Sequence, residues 1–360
     1  MKNNYKTLVL GLEHFIDKIG YQALAYQYYN HPVTYLTSDA SGFSLAFSKK
    51  YNAEVVIVPL NIINRIIFTI KYLLRKEYTH VEIYYTGRLV YLYMVFCKIF
   101  RKKTLFILRG FEFDKKHGRF WDSLVIKSIK LSDKILAKEP FLFEEAKKIV
   151  SIDKLLFLPN SIEAYSGKIL DYDDRDIDIL FLNTPRKERN LFLLINALEI
   201  LLAENSRLRI TIAGFSVFSE VSNKIQPEYQ NDVLNYIRQK KLENILTTKP
   251  FINNPYDLHS HAKIFVLPAN FIFLNYSMLE SMSCGTVPVV TKGEGWEKII
   301  TEENGFVSDF DAESLAGELR KALNKDKWEQ KSYHARETVL KHYDIIQWGE
   351  KILKFKEIII

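Results

Sequence analysis

The chain has 360 residues, 48% hydrophobic and 26% charged, which is ordinary for a globular protein and too long for one simple core, so two domains are expected. Its two cysteines, Cys97 and Cys284, have no metal-ligand spacing around them, which excludes a disulfide framework and a cysteine zinc site and suits a reducing compartment. The net charge of +7 is unevenly shared: residues 1–160 hold 25 Lys and Arg against 14 Asp and Glu (+11), and residues 161–360 hold 25 against 29 (−4).

The opening MKNNYKTLVLGLEHF has only a few apolar residues before Glu13 and His14, so it reads as a first strand rather than a signal peptide. Residues 55–74 are apolar but interrupted by Asn61, Asn64, Arg65 and Lys71, and residues 89–100 are too short to span a bilayer. Strands are predicted at 7–11, 33–37, 55–60, 81–85, 104–108 and 134–137, then at 177–183, 208–214, 245–249, 263–268 and 287–291. Runs such as VVIVPL and KIFVLP are continuously apolar, as strands buried on both faces should be. Between them, 190–203 and 312–323 carry helical apolar spacing. The alternation predicts two α/β domains, each a Rossmann-like doubly wound parallel sheet, facing a central cleft. The pattern breaks at 161–178, polar and acid-rich, which reads as a solvated interdomain linker. The expected division is 1–160, linker 161–178, 179–342, and a C-terminal helix over 343–360 that packs back on the first domain.

The most informative stretch is 262–304. A buried strand ends at Pro268, an aromatic loop follows, and a helix starts near Ser277. A helix start offers free N–H groups and a positive dipole end, a natural diphosphate site. Glu280, one turn in, suits a ribose diol, because a carboxylate only accepts hydrogen bonds. Ser277 and Glu280 also spell S-x-x-E, a capping box that needs no ligand. A second cluster, NTPRKERN, brings Arg186, Lys187 and Arg189 to a strand end, where they would clamp a diphosphate or simply make a solvated basic turn.

In this order and separation, ILFLNTPRKERNLFLLINAL, LRITIAGF, ILTTKPF, AKIFVLPAN, LESMSCGTVPVVT and GEGWEKIITEENGF resemble the C-terminal half of the retaining GT-B glycosyltransferases, the group 1 or family 4-like enzymes. The resemblance covers 177–323 and reaches the first half only in outline. It implies a hexosyltransferase using a nucleotide diphosphate sugar as donor substrate, with no other cofactor and no protein-bound metal. Glu280 would hold the donor ribose, and Arg189 stands where the diphosphate-binding lysine sits. Asn275, Tyr276 and Ser277 would meet the phosphates. Phe251 would lie near the base, with Gly214 in the AGF strand on the donor side and Glu297 on the sugar side. Three positions depart from the pattern. The first glutamate of Glu-x7-Glu falls on Ile272. The arginine of the Gly-Arg loop falls on Thr184, with Arg186 two residues on. Arg109 stands where a histidine often contacts the transferred sugar.

The first half is expected to hold a saccharide or lipid-linked acceptor, with Glu13, His14, Gly87, Arg88, Glu112 and Asp114 as loop candidates. Lys127, Lys130 and Lys134 recur at helical spacing beside Phe120, Trp121, Leu124 and Leu131, a pattern shared by membrane-surface helices and by ordinary lysine-faced ones. The expected setting is cytoplasmic, peripheral on an anionic inner membrane face, in surface polysaccharide synthesis and without a nucleic-acid partner. Two other readings stay open: a catalytically degenerate binding subunit of another glycosyltransferase, and a sugar-nucleotide epimerase.

Overall fold

The computed structural model describes residues 5–11, 19–38, 42–84, 89–108, 113, 119–215, 226–252, 254–273 and 275–358. Glu13, His14, Gly87, Arg88, Arg109, Glu112 and Asp114 lie outside the described residues. Two compact units emerge: Met1–Asn160 with Ile345–Ile360, and Ser161–Asp344.

Unit 1 alternates strands and helices: β1 (Lys6–Leu10), α1 (Gly20–Tyr28), β2 (Val33–Thr37), α2 (Gly42–Tyr51), β3 (Glu54–Ile57), α3 (Ile62–Leu73) and β4 (Tyr78–Tyr84). It continues through α4 (Val90–Ile99), β5 (Lys103–Leu108), α5 (Arg119–Leu131), β6 (Lys134–Ala137), α6 (Pro140–Lys147) and β7 (Leu155–Phe157). All seven strands pair in parallel in the order β3-β2-β1-β4-β5-β6-β7. Strands such as β5, with Leu105 to Leu108 all buried, pack on both faces, which is why they read as unbroken apolar runs.

Unit 2 repeats the plan with β8 (Ile177–Leu182), α7 (Leu191–Glu204), β9 (Ile210–Phe215), α8 (Pro227–Gln239), β10 (Leu246–Pro250), α9 (Tyr256–His259) and β11 (Ala262–Leu267). Then come α10 (Tyr276–Ser283), β12 (Val287–Thr291), β13 (Phe306–Ser308), α11 (Ala312–Ala322) and α12 (Lys325–His342). Its parallel sheet runs β10-β9-β8-β11-β12-β13. The last helix, α13 (Ile345–Phe355), lies in unit 1, where Ile345, Trp348, Ile352 and Leu353 join the core formed with α1 and the sheet.

Three expectations need correction. The acid-rich 161–178 segment is part of unit 2, not a solvated connector. Arg175 within it is fully buried, its Nε donating to Leu170 O at 3.1 Å, Nη1 to Ala262 O at 2.6 Å and Nη2 to Cys284 O at 2.8 Å. Asp178 belongs to β8 and accepts from Arg209 and from Lys263 Nζ at 2.8 Å. The lysine stripe 127–130–134 is interrupted, because α5 ends at Leu131 and Lys134 opens β6 with its Nζ donating to Asp153 O at 3.3 Å. The short strands β7 and β13 went unpredicted, three residues being too few to show a period.

Candidate functional site

In unit 2 the strand order reverses between β8 and β11. The chain leaves β8 toward β9 and leaves β11 toward β12, so the two outgoing loops part and open a crevice at the carboxyl ends of these strands. Residues 183–190 form one wall, and residues 268–273 with Asn275 form the other.

The walls are stitched together. Asn275 caps α10, its Oδ1 accepting from Met278 N at 3.1 Å and from Asn183 Nδ2 at 3.1 Å across the crevice floor. Asn270 N donates to Glu188 O at 3.0 Å, and Asn190 Nδ2 donates to Asn270 Oδ1 at 2.7 Å. Asn190 takes a left-handed conformation (φ 46°) that turns the single 3-10 turn Lys187–Arg189 into α7. On the far side Ile272 N donates to Glu294 O at 3.0 Å and Glu294 N to Asn270 O at 2.8 Å. Gly214 closes the floor: at φ +109° its missing side chain lets β9 approach β8, and a Cβ there would sit 2.3 Å from Asn183 O.

Ser277 is not half of a capping box. It lies inside α10 and donates its hydroxyl to Leu182 O at 2.6 Å, which ties the helix start to the end of β8. Its oxygen is then left to accept from His259 Nε2 at 3.2 Å. The same ring nitrogen lies 3.8 Å from Glu280 Oε2, and His259 Nδ1 is buried without a partner. His259 therefore backs both Ser277 and Glu280. A lone histidine in a four-residue helix carries no signal that sequence reasoning could have used.

The arginines give the site its electrostatics. Arg186 Nε and Arg189 Nη1 are both buried with no hydrogen-bond partner in the protein. Burial lowers the Arg189 pKa to about 10, with neighbouring Arg186 adding to the drop and Glu188 opposing it. The group stays cationic at neutral pH. Unmade buried donors cost free energy that a bound anion would recover. The start of α10, at the same carboxyl end of the sheet, adds the positive end of its helix dipole.

The other expected residues are more scattered. Phe251, 66% exposed, follows β10, two strands from β8, with its N–H on Phe215 O at 3.0 Å. Glu297 is exposed on the 3-10 turn Trp296–Lys298. Ile272, where the family pattern has a carboxylate, is fully buried. Among the described residues no group of three His, Cys, Asp or Glu could hold a metal ion.

Two Rossmann-like units in one chain are the fold class of the GT-B glycosyltransferases. Solved structures agree with that class over nearly the whole chain. A glycosyltransferase from Rickettsia africae ESF-5 superposes with a TM-score of 0.75 at 15% identity, covering 99% of each chain. Anabaena HepE, solved with UDP and glucose, gives 0.78 at 12% identity over 99% of this chain and 100% of its own. The lipopolysaccharide outer core galactosyltransferase WaaB gives 0.67 at 12% identity over 98% of each. No curated protein sequence matches the chain. Residues 161–338, nearly the whole of unit 2, match the family described as glycosyl transferases group 1, and that unit belongs to the family.

Proposed function

We propose that the protein transfers a hexosyl group from a nucleotide diphosphate sugar, held by unit 2, to a hydroxyl of a saccharide or lipid-linked acceptor, releasing the nucleoside diphosphate. The observation that carries this is the pair of unpartnered buried nitrogens, Arg186 Nε and Arg189 Nη1, at the switch point of the sheet. They offer a diphosphate charge-assisted bonds that strengthen as the leaving group gathers charge. In this reading Asn275, Tyr276 and Ser277 present the helix start to the phosphates, Glu280 takes the ribose diol, and Phe251 borders the base. Gly214 shapes the floor, and Glu297 takes the sugar side. Two arginines supply the positive charge, so the transfer is read as metal-independent, and the family likeness favours retention. The basic first half suits an acceptor carried at an anionic membrane surface, as surface polysaccharide synthesis on the inner face would present it.

A thermal-shift panel of UDP-, GDP-, ADP- and CMP-sugars tests the donor reading, with UDP-glucose first because HepE has been solved with it. A ligand that binds only the folded state raises apparent stability with its concentration over its dissociation constant. One sugar nucleotide should stabilise the protein and slowly release free nucleotide, with EDTA making no difference. No stabilisation by any member would sink the reading.

Ile272 favours one second reading, a binding subunit without turnover. The position that carries the first glutamate of the family pattern holds a fully buried aliphatic side chain. Donor binding with no nucleotide release under any acceptor would select it.

A further inference from the structure

Among the described residues of unit 1, α3 has an outer face that water does not suit. In α3 the inner side, Thr69, Tyr72 and Leu73, is buried, while Ile62, Ile63 and Ile67 stand exposed. Leu74, the C-cap residue and still in helical conformation, extends the stripe, so that 63, 67 and 74 follow helical spacing, and Leu60, 77% exposed, lies in the turn just before the N-cap Asn61. Ile57, at the end of edge strand β3, is exposed as well. The helix start is firmly built, not frayed: Asn61 Oδ1 accepts from Ile63 N at 3.0 Å and from Asn64 N at 3.2 Å, and Arg65 Nε holds Pro59 O at 3.0 Å. A contiguous exposed apolar face of this kind marks an interaction surface.

Charge identifies the occupant. Residues 57–76 contain Arg65, Lys71, Arg75 and Lys76 and no carboxylate, within a half that carries an excess of +11. The face is also purely aliphatic, whereas protein interfaces concentrate Tyr, Trp and Met at their centres. Aliphatic insertion with a cationic rim is the chemistry of a helix lying in an anionic lipid interface. At 12 residues α3 is about 18 Å long, too short to cross, and among the described residues no helix is long and apolar enough to do so.

We propose that α3 and the turn before it seat unit 1 on an anionic bilayer surface, with Leu60, Ile63, Ile67 and Leu74 inserted and Lys71 and Lys76 on the lipid headgroups. This rests on the proposed transfer for its purpose, since it fixes where a lipid-linked acceptor is met, but its test does not depend on donor chemistry. The full chain is sedimented with phosphatidylglycerol–phosphatidylcholine vesicles and with phosphatidylcholine alone, at low and high salt. Binding should be at least roughly tenfold stronger on the anionic vesicles and weaken with salt. I63N/I67N and, separately, K71E/K76E should each lower it by roughly tenfold or more, with the melting temperature unchanged because these side chains are exposed. K127E/K130E on α5 is the control and should matter less.

The proposal is overturned if anionic vesicles give no preference, or if both α3 variants bind as the unmodified chain does. It is equally overturned if K127E/K130E alone abolishes binding. Self-association in the absence of vesicles that I63N/I67N abolishes would assign the face to a second copy of the chain. A donor thermal shift measured without lipid should be the same for all variants; its absence throughout would count against the donor reading and not against this one.

Discussion

Arg186 and Arg189 combine three features that structural arginines avoid together: they are neighbours of like charge, each has a buried nitrogen without a partner, and among the described residues no carboxylate forms an ion pair with either. Arg175, equally charged, shows the contrast, because its guanidinium meets four protein oxygens. A site that pre-arranges charge for a ligand is unfavourable while empty, so activity and stability pull in opposite directions there. Arg186→Ala and Arg189→Ala should therefore leave the melting temperature of the free protein unchanged or slightly higher. Each should weaken donor binding by about 1.5–3 kcal/mol, roughly 10- to 150-fold, the range for a bond to a charged group. Thermal shift with and without donor reads both quantities. A large drop in free-protein stability with donor affinity intact would make the arginines structural. These two residues were legible as a basic turn after a strand. Their burial was not, because it depends on Asn270 and Asn190 closing the turn from 80 residues away.

At the scale of elements, the strands were legible wherever both faces are covered, since a doubly buried strand leaves an apolar run in the sequence, as in β11 and β12. The 161–178 segment misled for the opposite reason. Its acids look solvated, and Asp173 is, in an exposed pair with Lys325. The two residues that dock the segment, Arg175 and Asp178, are charged as well. Burial pushes the Asp178 pKa up, but the hydrogen bonds from Arg209 and Lys263 outweigh it and hold the carboxyl below its ordinary value. Burial lowers the Arg175 pKa to about 10, yet its planar fork still spans the carbonyls of Leu170, Ala262 and Cys284 and lies 4.8 Å from the Trp328 ring. Arg175→Met should cost unit 2 about 3 kcal/mol or more, because it strands several buried acceptors at once. Asp173→Ala should change nothing measurable. Denaturant titration followed by Trp328 fluorescence compares the two, and equal effects would mean that Arg175 is not the anchor of the segment.

For the whole molecule, the division of polar burial between units matters more than its total. Unit 1 encloses a chain of bonds joining its first strand to the last residues of the protein. Lys356 Nζ donates to Glu82 Oε1 at 2.8 Å and to Thr7 Oγ1 at 2.8 Å, which leaves the Thr7 proton to His31 Nε2, 2.8 Å away. Only a neutral ring accepts that bond. Burial, reinforced by Lys356 and His80, lowers the His31 pKa to about 3. His80 bonds Thr79 Oγ1 and Lys356 O, with Tyr5 edge-on, and lines a cavity of about 270 Å³ with Lys103 and Glu357. Its pKa is lowered to about 4 by burial and then by Lys356 and Lys103, against the pull of the Lys356 carbonyl and Glu357. The unfolded chain takes up these protons near the ordinary value of 6.5, so it binds more protons than the folded one below that pH and stability falls as pH drops. The whole histidine contribution is present above about 6.5 and is lost progressively toward pH 4 for His80 and pH 3 for His31. For His80 alone that is roughly 3 kcal/mol at about 1.4 kcal/mol per pH unit. Depressed carboxylates such as Glu54, Asp133 and Asp178 contribute stability above their own ordinary values, 4.5 or 3.8, so their loss begins lower and the window from 6.5 to 4.5 belongs to the histidines. Calorimetry across that window should show the unit 1 transition moving down in temperature while the unit 2 transition, the one raised by donor, moves less. His80→Gln and His31→Gln should flatten the slope even if they lower stability at neutral pH. An unchanged slope in both variants would place the acid sensitivity outside this cluster.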